Sequence, residues 1–283
     1  MHSGSFLQSK AWEQTNQALG HQTFRVGGVL CIKTIARRGT FLLVPHTRTI
    51  NQEIIELGRN EHCDFIRVCP LTLDSPEARL NFKLLNFKRA PIHVHPEHAW
   101  IVELKDDETL FAGMRKTTRY SIKKAQKDGI VAHISTDLEA FWKLYILTAQ
   151  RQQFVPFSRK LLEAEFQAFG DDAFIVMTDH ASAFVVTTED EAFYHHGAST
   201  HHPTASYLVQ WTAMQEARRR GKKFYNFWGV WDDPHSPQYG LSQFKRGFGG
   251  FQESYVPTQD FILTKKYWLN YIIEKIRKLQ RGF

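Results

Sequence analysis

Cysteine is scarce in this chain: Cys31, Cys63 and Cys69 are the three among 283 residues. Their odd number and the absence of C-x2-C spacing exclude a zinc knuckle and argue against a disulfide framework, so free, buried thiols are expected. Long apolar runs are missing as well. No window holds the roughly 18 to 20 uninterrupted apolar residues that a membrane span needs. The opening MHSGSFLQSKAW lacks the apolar core of a signal peptide, so a cytoplasmic location is expected. There is no G-x-S-x-G elbow and no cysteine in a nucleophile's setting, which leaves serine or thiol catalysis without a motif. Low-complexity segments and sequence repeats are absent too.

What the chain does have is apolar bulk and positive charge. At 42% hydrophobic and 13% aromatic it can bury a sizeable core, as one large domain or two ordinary ones. A formal charge of +7 and a pI near 9.2 point to an anionic partner: nucleic acid, a nucleotide-linked sugar or acidic lipid head groups.

Helical and strand periods alternate along the sequence. FLQSKAWEQTNQALG predicts a helix from about Ser9 that stops at Gly20, and HQTFRV, VLCIKTIA and TFLLVP read as strands joined by glycine turns. Helices are expected over 49–60 and 76–85, with strands over 64–68 and 98–104. From Leu110 a basic helix begins, so the natural division lies near Lys105. Its Lys116, Arg119, Tyr120, Lys123 and Lys127 share one face, while Met114, Thr118, Ile122 and Ala125 fall opposite. Almost no carboxylates interleave that stripe before Asp128. Its cations therefore repel one another, which is tolerated most readily where an anion binds. A strand IVAHI, two helices (138–153, 158–169), the strands AFIVMT, ASAFVVTT and EAFYHHGAS, and a helix over 204–220 follow. A last strand over 260–263 leads to an amphipathic helix over 265–279. The class is α/β.

The stretch from Tyr225 to Tyr255 carries the most information. FYNFWGV reads as a strand ending at a glycine, and Asp232, Asp233, Pro234, Ser236, Pro237 and Gly240 then force an open loop. Leu241, Phe244 and Phe248 recur at helical spacing until Gly249 and Gly250 stop the helix, so Lys245 rides on a short helix between glycine-rich breaks. A lysine so placed is either an ordinary surface cation or one that meets a phosphate or an oxyanion. By alternation Trp228 lies opposite Tyr225 and Phe227, either in the core or lining a channel.

The ordered blocks RKTTRYSIKKAQKDGI, YHHGAS, YNFWGV and GLSQFKRGFGG resemble the FemABX family of peptidoglycan bridge-forming aminoacyltransferases, with matching order from Phe6 to the final helix. The resemblance implies two tandem GNAT-like domains, 1–105 plus 257–283 and 106–256, the C-terminal tail returning to complete the first. It implies aminoacyl-tRNA as co-substrate and no other cofactor. The implied acceptor is the stem-peptide amine of a peptidoglycan precursor, lipid-linked or uridine-diphosphate-linked, with peripheral contact at the inner membrane face open to it. Phe244 and Lys245 match the family's Phe-Lys pair, Lys245 as phosphate or oxyanion partner and Phe244 positioning it. Trp12 matches a tryptophan near the precursor. Lys116, Arg119, Tyr120, Lys123 and Trp228 are candidates for substrate contact. The chain departs from the family pattern at Asn16, where relatives carry lysine, at His196, where they carry tyrosine, and at Phe157, where they carry a phosphate-binding arginine, with Arg159 nearby.

His196 is expected as a proton acceptor if it faces a cleft. Because adjacent strand residues point to opposite faces, His195 and His196 are not expected to share an ion, and no metal site is expected. An acyl-coenzyme A N-acyltransferase is the alternative on the same fold, although the Q/R-x-x-G-x-G/A loop that cradles pyrophosphate is absent. A catalytically idle RNA-binding protein is a third reading.

Overall fold

Short polar side chains set the helix starts. Ser9, Asn51, Ser75, Asp106, Asp137 and Ser158 each accept the backbone N–H three residues on, a cap that stabilises a helix by about 0.5–2 kcal/mol. The structure, a computed structural model, describes residues 4–37 and 39–281. In chain order the elements begin with α1 (Lys10–Ala18), β1 (Gln22–Val26), β2 (Val29–Ala36), β3 (Gly39–Thr47), α2 (Gln52–Asn60), β4 (Phe65–Pro70), α3 (Pro76–Leu84) and β5 (Lys88–Arg89). Next come β6 (His98–Glu103), α4 (Asp107–Gly113), α5 (Lys116–Lys127), β7 (His133–Ser135), α6 (Leu138–Gln152), α7 (Arg159–Phe169), β8 (Ala173–Met177), β9 (Ala181–Thr187) and β10 (Glu191–Ser199). The chain closes with α8 (Ala205–Arg219), β11 (Phe224–Gly229), α9 (Tyr239–Arg246), β12 (Phe251–Ser254), β13 (Gln259–Ile262) and α10 (Tyr267–Arg281). Among the described residues no helix is long and apolar enough to cross a membrane.

Two compact units result. The first comprises Leu7–Ala99, Trp231–Tyr239 and Glu253–Phe283; the second comprises Met1–Phe6, Trp100–Val230 and Gly240–Gln252. The sequence division at 105/106 and 256/257 differs in detail. Phe6 counts with the second unit because its ring packs against Phe169, Phe193 and Trp228 at 5.0–6.0 Å. Trp231 counts with the first, its ring 6.4 Å from that of His93.

In the first unit the sheet order is β1-β2-β3-β4-β13-β5. Alternation along β4 sends Ile66 and Val68 into a core with Ile54 and Ile55 of α2 and Leu42 and Val44 of β3. Arg67 points to the other face, where it is almost wholly buried. Its guanidinium donates to both carboxylate oxygens of Asp260 on β13, each at 2.8 Å, and to both of Glu274 on α10, at 3.0 and 2.8 Å. Tyr267 donates a further bond to Asp260. The returning tail is thus held to this sheet by strand pairing and by one charge network.

The second sheet runs β12-β6-β11-β10-β9-β8-β7. Val176, Ala183 and Val185 on its strands pack against Leu208, Val209, Ala213 and Met214 of α8, and Ile122 and Ala125 of α5 join that core. The basic helix expected as one element is two. Met114 turns extended at ψ 154° after Gly113, and Arg115 N–H bonds to Gly247 O. Met114 is buried, as expected, but outside the helix. Of the expected strand IVAHI only His133 and Ile134 are in β7, which ends at Ser135.

Substituting Arg67 by Met leaves the Asp260 carboxylate buried without its cation. The expected loss is about 3–5 kcal/mol in urea denaturation; a loss below about 1 kcal/mol, the range of an exposed pair, contradicts the account.

Candidate functional site

β10 and β11 lie parallel but pair over only three positions, from Glu191↔Phe224 to Phe193↔Asn226. Beyond that, β10 slips register against β9. Tyr194 pairs with Val185 and His196 with Phe184, leaving His195 as an extra, unopposed residue. Such a bulge re-aims side chains. It is accommodated at Gly197, where a Cβ would overlap the Tyr194 hydroxyl.

The bulge overturns the expectation that His195 and His196 face opposite ways. Their ring centroids lie 4.0 Å apart, and both rings reach Glu165 of α7: His195 Nδ1 is 2.6 Å from Oε1 and His196 Nε2 is 2.8 Å from Oε2. Glu165 is fully buried. Burial opposes its charge, but the imidazoles, His195 ahead of His196, outweigh burial and hold the carboxyl down at about 2. Burial also lowers His196, and the His195 ring adds to that. His196 is boxed by Tyr145, Phe157 and Phe184 at 5.4–6.2 Å. With Nε2 held by Glu165, it stabilises the end of β10 more readily than it accepts a substrate proton. One carboxylate and two imidazoles, all within 4.8 Å, form a metal-capable donor set. Their 2.6 and 2.8 Å separations are hydrogen-bond distances, whereas donors around a tetrahedral zinc stand about 3.3 Å apart.

At the free end of β11 sits Lys245. It is 5% exposed, and its Nζ donates to Gly229 O at 2.6 Å. Among the described residues it has no second partner, although an ammonium carries three N–H bonds. Burial lowers its pKa from 10.5 to about 7. Its helix is stopped by Gly249 and Gly250 at φ +81° and +92°, and a Cβ on Gly250 would run into the Ile101 carbonyl of β6. Phe244 is half-buried, its ring 4.9 Å from Tyr207 and 5.3 Å from Phe248. Leu241, expected on the same apolar face, is exposed instead.

Trp228 lies on the face opposite Tyr225 and Phe227, as expected, but leaves the extended backbone of β11. Its φ is +65°, a left-handed conformation unfavourable for a bulky residue. Asn226 holds it by accepting the Trp228 N–H at 2.8 Å and donating to the buried Glu191. The indole joins Phe6, Phe193 and His195. Tyr225 and Phe227 enter the core as expected.

The remaining candidates lie elsewhere in their units. On α5, Lys116, Tyr120 and Lys123 are exposed, and neither lysine pairs with a carboxylate among the described residues. Lys123 instead lies over the Phe111 ring. Arg119 turns inward and donates to Ala112 O and Met114 O, both at 2.8 Å, capping α4. Arg159 is bridged to Glu139 and Glu163. Trp12 is buried in the first unit, and the Asn16 amide folds back onto its carbonyl. A recess of about 260 Å³ in the second unit is lined by Lys105, Leu110, Phe248 and Gly250 but does not include Lys245. The sequence reading passed over Glu165. The signal was a carboxylate on the apolar stripe Leu162, Phe166 and Phe169 of α7.

The FemAB family model matches residues 82–180 and 177–275, more than half of the chain. The chain belongs to the FemAB family. A crystal structure of FemX is similar over 96% of this chain and 96% of its own, with a TM-score of 0.82 at 17% identity. The C-terminal DUF2156 domain of a putative lysylphosphatidylglycerol synthetase from Agrobacterium fabrum matches with a TM-score of 0.59 at 12% identity, covering 95% and 92% of the two chains. L-PGS from Bacillus licheniformis matches with a TM-score of 0.59 at 10% identity, covering 93% and 91%. No curated protein sequence matches the chain. At these identities the structural likeness is one of fold: the tandem α/β architecture expected from the sequence is the one this FemAB member has.

Because the folded pKa of Lys245 lies below its unfolded value, the native state is penalised while both states hold the proton. The penalty fades as pH rises from about 7 to about 10.4. The stability of Lys245→Met relative to the parent is therefore expected to be highest below pH 7 and to decline across that window. Parallel stability curves from chemical denaturation at several pH values would contradict the burial argument.

Proposed function

We propose that this FemAB-family chain transfers an amino acid from an aminoacyl-tRNA to the stem-peptide amine of a peptidoglycan precursor. The observation that carries the reading is the buried Lys245 amine, with one hydrogen-bond partner and a pKa lowered to about 7, on the segment that resembles the family's Phe-Lys pair. The ester of an aminoacyl-tRNA is already activated, so the reaction calls for alignment, oxyanion stabilisation and proton movement, without a covalent enzyme intermediate or a cofactor. The stem-peptide nitrogen attacks the ester carbonyl and the N–C bond forms. Protonated Lys245 donates a spare N–H to the developing oxyanion. The C–O bond then breaks, and the proton lost by the attacking amine ends on the ribose oxygen. Phe244 holds the lysine's helix against Tyr207 and Phe248. Trp228 fixes the end of β11, whose Gly229 carbonyl anchors the amine in the resting state. Lys116 and Lys123, without a carboxylate partner among the described residues, supply a cationic surface for tRNA phosphates.

Incubation with tRNA charged with labelled amino acids and a lipid-linked or nucleotide-linked stem peptide is expected to add an amino acid to the peptide, read by mass spectrometry. Lys245→Ala is expected to abolish the product while the circular dichroism spectrum is retained. Transfer from acetyl-coenzyme A, with none from charged tRNA, defeats the proposal in favour of an N-acyltransferase.

Replacing Lys116 and Lys123 by Ala is expected to weaken tRNA binding and to reduce the slope of log affinity against log salt by about 0.7–0.9 per lost phosphate contact. An unchanged slope removes α5 from the RNA surface.

A further inference from the structure

The C-terminal helix α10 has an inner face that the fold explains and an outer face that it does not. Inward, Tyr267 is fully buried and bonded to Asp260, Glu274 holds Arg67, and Asn270 donates to Glu274. Outward, at about 100° per residue, Trp268, Leu269, Ile272, Ile276 and Leu279 fall within one sector of about 100°. All five are exposed, from 43% at Trp268 to 83% at Leu279. The stripe runs about 17 Å along the helix. A surface helix of a water-facing protein carries polar residues there.

Charge completes the pattern. Lys265 and Lys266 precede the stripe, Lys275 borders it beside Trp268, Arg277 and Lys278 stand exposed further round the helix on either side, and Lys88 of β5 lies over the Trp268 ring at 5.0 Å. The only carboxylate in the segment, Glu274, is turned inward onto Arg67. The outer side of α10 thus offers large apolar groups, an indole and cations that make no ion pair among the described residues.

We propose that α10 is a membrane-surface helix that lays this stripe into the headgroup boundary of an anionic bilayer. Leucine, isoleucine and tryptophan side chains would enter the acyl boundary, while the lysines extend along them to lipid phosphates. A second copy of the chain is the weaker occupant. A two-fold contact would set one cationic rim against another, with no outward carboxylate to compensate. The inference is independent of the transfer reaction, since it concerns where the first unit rests and not what the second unit catalyses.

The test is co-sedimentation of the full chain with phosphatidylcholine vesicles made with or without phosphatidylglycerol, at physiological salt. The parent is expected to bind the anionic vesicles at least about tenfold more tightly than the neutral ones. Ile272→Glu with Ile276→Glu is expected to weaken that binding by about tenfold or more, with the urea midpoint unchanged because both side chains are exposed. Lys275→Glu with Lys278→Glu provides a second variant that leaves the apolar stripe intact and is expected to weaken binding similarly. Absence of binding by the parent overturns the proposal. So does equal binding to both vesicle types, or unchanged binding by both double variants. A parent that sediments as a dimer, dissolves to monomer on Ile272→Glu with Ile276→Glu and ignores vesicles assigns the stripe to a chain–chain contact and likewise overturns it.

Discussion

Parallel pairing between β10 and β11 ends after Phe193↔Asn226, and the arrangement of the candidate site follows from the valences that this parting leaves open. A strand that leaves its neighbour must find other partners for its backbone groups. On β11 the Asn226 side chain takes the Trp228 N–H, and the Lys245 amine takes the Gly229 carbonyl. On β10 the extra residue of the bulge turns two histidines toward one buried carboxylate. The left-handed Trp228 persists because Asn226, Phe6, Phe193 and His195 hold it from several sides. Local strain of this kind survives where its surroundings over-determine it.

Element boundaries were largely legible, because the chain writes its helix starts as Ser, Asn or Asp followed by an apolar period. The short helix that carries Lys245 was legible for a related reason, since glycines on both sides confine it, but spacing left open whether the amine was an ordinary surface cation. The His195–His196–Glu165 cluster was not. A period of two predicts faces only while the ladder is regular, and nothing in EAFYHHGAS announces an inserted residue. Arg119 was misplaced for a different reason. Helical spacing gives its direction along α5, but whether its guanidinium reaches outward or back depends on the α4 carbonyls, which exist only because Met114 ends that helix early. The return of the C-terminal tail came from the resemblance, which gave no place for β13 between β4 and β5, since pairing so distant in sequence leaves no local trace.

Two buried cations show how the fold separates structure from chemistry. Arg67 is surrounded by four carboxylate oxygens, and the Tyr267 hydroxyl supports Asp260 from the far side. Burial raises the Asp260 carboxyl above its ordinary range even with Arg67 opposing it. Removing Arg67 strands the buried Asp260 charge, so this network holds the returning tail, with four of the guanidinium's five N–H groups taken by carboxylates. Lys245 is equally withdrawn from water but faces a single neutral carbonyl. A neutral acceptor offers no counter-charge, so burial drives the amine toward its uncharged form.

The role proposed for Lys245 rests on that contrast. A fold selected only for stability would replace Lys245 by an apolar residue of similar length, since an ammonium held with one bond is destabilising wherever it stays protonated. Keeping it yields a group that is both charged and neutral near pH 7, with N–H bonds unassigned in the resting state. An anion arriving beside it supplies the missing counter-charge and raises the amine's pKa, so protonation and substrate charge favour each other. A developing oxyanion is such an anion, whereas a neutral ester is not. In the proposed reaction the amine would therefore interact more strongly with the transition state than with the ground state, which is the condition for lowering a barrier.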